Sequence, residues 1–205
     1  MSNELMSKKD LVIIDNGGAN IASVLFAFER LGQNAVLTDN PGQIKKASHV
    51  ILPGVGAAAD AVQTLQAKDG LIDCIRSLTQ PVLGICLGMQ LLFTRSAEGD
   101  VDMLNIIDGA VTKFMPAPDL SIPHMGWNNV SKSRNHALLN GIDEDSYFYF
   151  VHSYRADTGA HTIGQCNYNG AFTAVTAQDN VMGCQFHPER SGKNGAKLLE
   201  NFLSL

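Results

Sequence analysis

Pro81-Val82-Leu83-Gly84-Ile85-Cys86-Leu87-Gly88-Met89-Gln90 is the stretch on which the reading of this chain turns. An apolar run with the β-branched Val82 and Ile85 leads into the cysteine, and a helix-forming run from Leu87 to Phe93 leads away from it. Gly-x-Cys-x-Gly is the cysteine form of the nucleophile elbow. In that turn from strand to helix the central residue is strained and its neighbours must lack bulk. Unpaired backbone N–H groups at the start of the following helix carry partial positive charge and favour a thiolate. A free cysteine is more often simply buried in a core strand. Glycine two positions away on both sides favours the elbow for Cys86.

Upstream, Leu11-Val12-Ile13-Ile14-Asp15 is a continuous apolar run ending at Gly17-Gly18, the pattern of a strand buried on both faces of a parallel sheet. A helix is expected from Asn20 to Leu31, with Ile21, Val24, Leu25 and Phe28 on one face and Gly32 as its stop. Strands follow at Ala35 to Leu37 and at His49 to Leu52, separated by a turn at Asn40-Pro41-Gly42, and a helical stretch broken at Gly70 spans Ala57 to Leu78. Strands alternating with helices imply βαβ units, with functional groups at the carboxyl ends of the strands.

After Gly99 the texture changes. Short β-like runs at Ala110 to Thr112, Tyr147 to Val151, Thr162-Ile163, Phe172 to Thr176 and Val181 to Phe186 are separated by Gly, Asn and Asp turns, which predicts antiparallel additions to the sheet. A helix from Asn194 to Leu203 closes the chain. The expected fold is α/β: a flavodoxin-like, open, mostly parallel sheet flanked by helices, with antiparallel strands added in the C-terminal half. No linker or repeat divides it, so a single domain over residues 11–205 is expected, preceded by a frayed polar tail over residues 1–10.

The chain has 205 residues, 45% hydrophobic and 17% charged, and suits one compact domain. A formal net charge of −5, with no basic cluster longer than Lys8-Lys9 or Lys45-Lys46, argues against nucleic acid as a partner. No apolar stretch approaches the roughly 20 residues that span a bilayer. Cys74, Cys86, Cys166 and Cys184 form no CxxC pair and none has zinc-ligand spacing, so a reducing cytoplasm and no metal are expected.

A cysteine nucleophile needs a proton carrier, and the carrier needs an orienting acceptor. His187-Pro188-Glu189 offers both directly after an apolar strand. Proline favours an extended residue before it, and in extended chain residues i and i+2 project to the same side. Glu189 can then accept from one imidazole nitrogen while the other faces Cys86. On its own such a tripeptide is usually a solvated turn; its place at a strand end raises it. The other histidines rank lower: His152 beside Ser153-Tyr154 could line a pocket, His124 precedes Met125-Gly126-Trp127, and His49, His136 and His161 carry no partner pattern. Acyl chemistry also needs an oxyanion hole: the Leu87 N–H is one donor, and Pro53-Gly54-Val55-Gly56 ends a neighbouring strand with glycines that let its amides turn inward.

Gly84-Ile-Cys-Leu-Gly-Met-Gln90 followed by Gln185-Phe-His-Pro-Glu189 resembles the class I, triad-type glutamine amidotransferases. Leu52-Pro-Gly-Val-Gly56, Pro123-His-Met-Gly-Trp-Asn128 and Tyr149-Phe-Val-His-Ser-Tyr154 narrow the resemblance to the glutaminase subunits of imidazole glycerol phosphate synthases, over the chain from Leu11 onward. The resemblance implies that Cys86 attacks the glutamine carboxamide, His187 protonates departing ammonia and Glu189 orients His187. It implies substrate contacts at Gly88, Gln90, Glu98, His152, Ser153 and Tyr154. Gly54-Val55 matches an oxyanion strand that must rearrange before the hole is complete, so such subunits work poorly alone. Met125, Trp127, Asn128 and Arg190 match the face against a (βα)8-barrel cyclase, which receives the ammonia. No cofactor is implied. Two departures, Asp15-Asn16-Gly17-Gly18-Ala19-Asn20 in place of a Tyr-Gly near the start and Arg190 in place of lysine, bear on the docking surface and not on the chemistry.

Other readings remain at this stage: a glutaminase for another synthase, such as anthranilate or carbamoyl phosphate synthesis, a cysteine peptidase or thiol-stress protein, and a scaffold without activity. The stretch around Trp127 separates the first, Gln90 with the late His-Pro-Glu the second, and the intact Cys-His-Glu set the third.

Overall fold

A computed structural model describes residues 8–17, 20–118 and 120–205. Its strands are β1 (Leu11–Ile14), β2 (Ala35–Thr38), β3 (His49–Leu52), β4 (Val82–Ile85), β5 (Arg95–Ser96), β6 (Val101–Asp102), β7 (Ala110–Lys113), β8 (His124–Lys132), β9 (Ser146–His152), β10 (Tyr154–Ala156), β11 (Thr162–Asn167), β12 (Ala171–Gln178) and β13 (Val181–Cys184). Its α-helices are α1 (Ile21–Arg30), α2 (Pro41–Lys46), α3 (Ala58–Gln66), α4 (Leu71–Arg76), α5 (Leu87–Gln90) and α6 (Gly192–Leu203).

A nine-stranded sheet runs β2-β1-β3-β4-β13-β12-β11-β8-β9. The pairings from β2 through β13 are parallel and those from β13 through β9 antiparallel. The parallel half therefore has the flavodoxin-like order, with its last strand arriving from the C-terminal half of the sequence. Every residue of β1, β3, β4 and β13 is buried, which is why these strands read as unbroken apolar runs. Alternation along them separates two cores. Leu11, Ile13, Ile51, Leu83 and Ile85 pack with Val24 and Phe28 of α1 and Leu198, Leu199 and Phe202 of α6. Val12, Ile14, Val50, Leu52 and Val82 pack on the opposite face with Ile44, Val62, Leu65, Leu71 and Ile75 of α2 to α4.

The structure departs from the sequence reading at four places. The helix after Cys86 is one turn, not a run to Phe93, because the carbonyls of Leu91, Leu92 and Phe93 are taken by the N–H groups of Leu104, Ile106, Ile107 and Asn105. β7 does not extend the main sheet; it joins a separate four-stranded sheet, β10-β7-β5-β6. Asn40-Pro41-Gly42 opens a helix, with the Asn40 side chain capping the Gly42 and Gln43 N–H groups at 2.9 and 3.1 Å and Pro41 in the first turn. The stretch 123–128 lies largely in β8, which pairs with β9 from His124↔His152 to Val130↔Ser146. Gly126 at φ 128° and the polar Asn128-Asn129 disguise its alternation.

Of the expected tail, residues 1–7 lie outside the described residues, as do Gly18 and Ala19 of the Asp15–Asn20 stretch. Among the described residues no helix is long and apolar enough to cross a membrane.

Candidate active site

Cys86 stands between β4 and α5 at φ 54°, ψ −113°, a strained conformation for a residue with a side chain. The parallel ladder holds it there: its N–H donates to the Cys184 carbonyl at 2.8 Å. The flanking glycines are required by close approach. A Cβ on Gly88 would come within 1.8 Å of the Leu52 carbonyl oxygen, and one on Gly84 within 2.6 Å of the Gly88 carbonyl oxygen. A Cβ on Gly54 would meet the Gly88 nitrogen at 2.6 Å. The ends of β3 and β4 are thus packed backbone to backbone against α5, which sets the cysteine at the rim of the sheet.

β13 runs beside β4 and delivers the second half of the site. Past its end, His187 and Glu189 meet through Nδ1 and Oε1 at 2.8 Å, with both side chains over nine-tenths buried. Burial pushes the His187 imidazole down, but hydrogen bonds to Cys86 and Glu189 and the charge on both more than reverse this and lift it to about 10. The Ser191 hydroxyl donates to the His187 carbonyl at 2.7 Å and accepts from the Tyr149 N–H at 3.0 Å, fixing the turn at Pro188–Arg190 against β9.

Cys86 and His187 face a cavity of about 310 Å³ that is also lined by Val55, Gly56, Leu87, Gln90, Glu98, Pro123, Val151, His152, Ser153 and Tyr154. Sequence reasoning named all of these except Gly56, Pro123 and Val151 as site residues, and the fold brings them together from the end of β3, α5, the β5–β6 turn, β9 and β10. Gly54 and Gly88 lie in the backbone seam behind the wall. The Glu98 carboxylate accepts from the Ala58 N–H at 2.9 Å, which fixes it at the start of α3. Met125 and Trp127 project outward from β8, 63% and 56% exposed, next to Tyr147 at 57% on β9. Asn128, grouped with them by the resemblance, projects to the opposite face, where its Nδ2 reaches His124 and the Asn167 carbonyl. Arg190 is exposed and reaches the Asn20 side-chain oxygen at 3.4 Å.

Three polar residues at the site were not expected there, and two of them, Asn16 and Asn20, correct the expectation that the Asp15–Asn20 departure bears on the docking surface and not on the chemistry. Asn20, in the left-handed region at φ 71°, donates from Nδ2 to Glu189 Oε1 at 2.9 Å. Asn16 donates to the Pro53 carbonyl at 2.6 Å and so holds the strand carrying Gly54 and Val55. Gln185 points Nε2 at the Cys86 sulfur from 3.8 Å, and its Oε1 accepts from Gln90 Nε2 at 2.9 Å. The position of Gln185 directly before Phe186-His187 is the one hint that a sequence reader could have used. Among the described residues no group of three His, Cys, Asp or Glu is placed to hold a metal ion.

A buried cysteine, a histidine bonded to a buried carboxylate and an adjoining cavity form an arrangement that can carry acyl transfer. Known proteins agree. Residues 12–205 match the family described as glutamine amidotransferase class-I. The chain is 51% identical over 195 residues to the imidazole glycerol phosphate synthase subunit HisH of Pasteurella multocida, covering 95% of this chain and 98% of that one. It is 48% identical over 196 residues to the HisH of Xanthomonas axonopodis pv. citri, covering 96% and 98%. Among solved structures, a glutamine amidotransferase matches at TM-score 0.72 and 15% identity over 94% of this chain and 97% of that one. PurLQS from Thermotoga maritima matches at TM-score 0.70 and 17% identity, over 95% and 97%. At that identity the two structures speak to the fold alone, and it is the sequence relatives that place the chain more narrowly. The chain belongs to the class-I glutamine amidotransferase family, among the HisH subunits of imidazole glycerol phosphate synthase.

Proposed function

We propose that this chain hydrolyses glutamine to glutamate and ammonia and passes the ammonia to a (βα)8-barrel cyclase subunit that makes imidazole glycerol phosphate in histidine biosynthesis. The observation that carries the reading is that His187, bonded to the buried Glu189, lines the same cavity of amino-acid size as Cys86.

In this reading the Cys86 sulfur attacks the carboxamide carbon of glutamine. The C–N bond breaks as His187 gives its proton to the departing nitrogen, leaving a glutamyl thioester and free ammonia. Water then attacks the thioester carbon while His187 takes one of its protons, and the C–S bond breaks to release glutamate and restore the thiolate. The N–H groups of Leu87, Gly54 and Val55 stabilise the oxyanion. Gln90, Glu98, His152, Ser153 and Tyr154 hold the substrate, with Gly88 giving the backbone room behind it. Residues 11–205 act as one domain. Met125 and Trp127, with Arg190 at the edge, form the docking face for the cyclase. All four cysteines are unpaired and buried, which suits a reducing cytoplasm.

The test is glutamate release from glutamine by the purified chain, alone and with the cyclase plus its nucleotide substrate. Slow turnover alone and much faster turnover with both supports the activity, the partner and a gated oxyanion strand together. Fast turnover alone keeps the thiol chemistry and removes the gating. No turnover in either case overturns the reading.

A further inference from the structure

Two buried histidines stand behind the pocket wall, and only one of them lines it. Tyr154 presents a backbone carbonyl, which can only accept. It lies 2.7 Å from His152 Nδ1, so that nitrogen carries the hydrogen. Burial holds both rings neutral at physiological pH, pushing His152 down to about 3 and His124 to about 4. His152 Nε2 is therefore a bare acceptor, and His124 Nδ1, 2.9 Å away, must donate to it. His124 Nε2 is then the acceptor at its other end, and Asn128 Nδ2 approaches it at 3.2 Å. The Asn128 oxygen is taken by the Asn129 N–H at 2.9 Å, which settles the amide's orientation.

The chain thus runs in one direction from Asn128 through His124 and His152 to the Tyr154 carbonyl. Reversing it would set the lone pair of His152 Nδ1 against that carbonyl. The same carbonyl accepts from Gln90 Nε2 at 3.0 Å, and Gln90 holds Gln185 beside the Cys86 sulfur. Packing prevents His124 from turning to escape: its ring is stacked between Tyr168, at 4.0 Å and 22°, and Phe150, at 4.9 Å and 25°.

We propose that His124 and Asn128 are positioning residues for the amide hydrolysis, setting through His152 the place of the Tyr154 carbonyl and hence of Gln90 and Gln185 at the nucleophile. The proposal rests on the glutamine reading of the cavity.

Long-range 1H–15N correlation spectra of the wild-type chain near neutral pH read the tautomers directly. The expected result is a hydrogen on Nδ1 of both His124 and His152; a hydrogen on Nε2 of either ring overturns the one-way chain. Kinetics are read in the complex with saturating cyclase. His124→Phe keeps the stack but removes the donor to His152, whereas His124→Asn keeps an amide N–H near the former Nδ1. The Phe variant raises the KM for glutamine about tenfold and the Asn variant about threefold, the scale of one buried hydrogen bond lost or weakened. Asn128→Ala raises it about threefold, since His124 Nε2 loses its donor. A merely structural role would move KM equally in the Phe and Asn variants; that result, or an unchanged KM in His124→Phe, overturns the proposal. An unchanged KM in Asn128→Ala removes Asn128 from it. Absence of glutaminase activity in the wild-type complex overturns the glutamine reading instead, while the tautomers still test the chain.

Discussion

Asn20 donates from Nδ2 to Glu189 at 2.9 Å, onto the same oxygen that meets His187 Nδ1 at 2.8 Å. Two donors from opposite ends of the sequence converge on one buried carboxylate oxygen, so the carboxylate cannot rotate without giving up both bonds. Asn20→Gly keeps the left-handed backbone that this position needs and deletes only the amide. A hydrogen bond to a charged group contributes about 1.5–3 kcal/mol. The glutamine-dependent kcat of the complex should therefore fall by about ten- to a hundredfold while synthesis from added ammonia stays unchanged. Equal loss in both assays would show that Asn20 serves the fold or the docking and not the triad.

Cys86→Ala separates the two half-reactions more sharply. With no sulfur, no thioester forms, and glutamine-dependent synthesis should be abolished. Ammonia-dependent synthesis should persist, because the cyclase still has its partner. The substitution also leaves the seam as it is, since the strained position keeps a Cβ and Gly84 and Gly88 are untouched. Loss of both activities would refute the division of labour between the subunits.

The placing of Cys86, His187 and Glu189 was legible in the sequence because its geometry is nearly local: His187 and Glu189 are two residues apart around a proline, and Cys86 is marked by glycines that the close seam requires. The parallel half of the sheet was legible because strands buried on both faces are written as continuous apolar runs. β8 was not, since Gly126 and Asn128-Asn129 break the apolar alternation and its pairing with β9 decides it instead. The contacts of Asn20 with Glu189 and of Gln185 with Gln90 were equally hidden. Each joins residues far apart in sequence, and a lone Asn or Gln carries no local pattern for such a contact.

The seam itself is open to test through Gly88→Ala. The new methyl would sit within 1.8 Å of the Leu52 carbonyl oxygen, a backbone atom that cannot move without shifting β3. Overpacking typically costs about 1–3 kcal/mol, and a clash with backbone falls at the upper end, so a drop in the denaturation midpoint with loss of glutaminase activity is expected. A variant of wild-type stability would mean that α5 can withdraw from β3, and the close packing around the cysteine would lose its claim to hold the elbow.

Stability should also fall on acidification. Burial lowers His124 to about 4 and His152 to about 3, below the ordinary value of 6.5 that they regain on unfolding. Between those limits the unfolded chain binds protons that the folded chain refuses, so stability is lost as pH falls, by about 1.4 kcal/mol per pH unit for each ring. His187 acts in the opposite sense: raised to about 10, it contributes stability that is full below 6.5 and is lost as pH climbs towards 10. Urea midpoints measured from pH 7 down to 4 should fall less steeply in His124→Phe than in the wild type. Parallel slopes would show that His124 titrates normally in the folded protein.

Trp127 tests the proposed docking face. It projects from β8 at 56% exposure beside Met125 and Tyr147, and its ring contact within the chain is an edge-on approach to Tyr149 at 6.0 Å and 67°. An aromatic so little used by its own fold costs little to remove from the monomer, whereas a tryptophan at the centre of an interface typically carries 2 kcal/mol or more of binding, about thirtyfold in Kd. Trp127→Ala should therefore keep the wild-type melting temperature within a few degrees and weaken cyclase binding by about that factor. It should also blunt the stimulation of glutaminase turnover by the cyclase's nucleotide substrate. Met125→Ala, from the same outward row, should act in the same direction and more weakly. Unchanged affinity and unchanged stimulation in both variants would place the docking surface elsewhere on the chain.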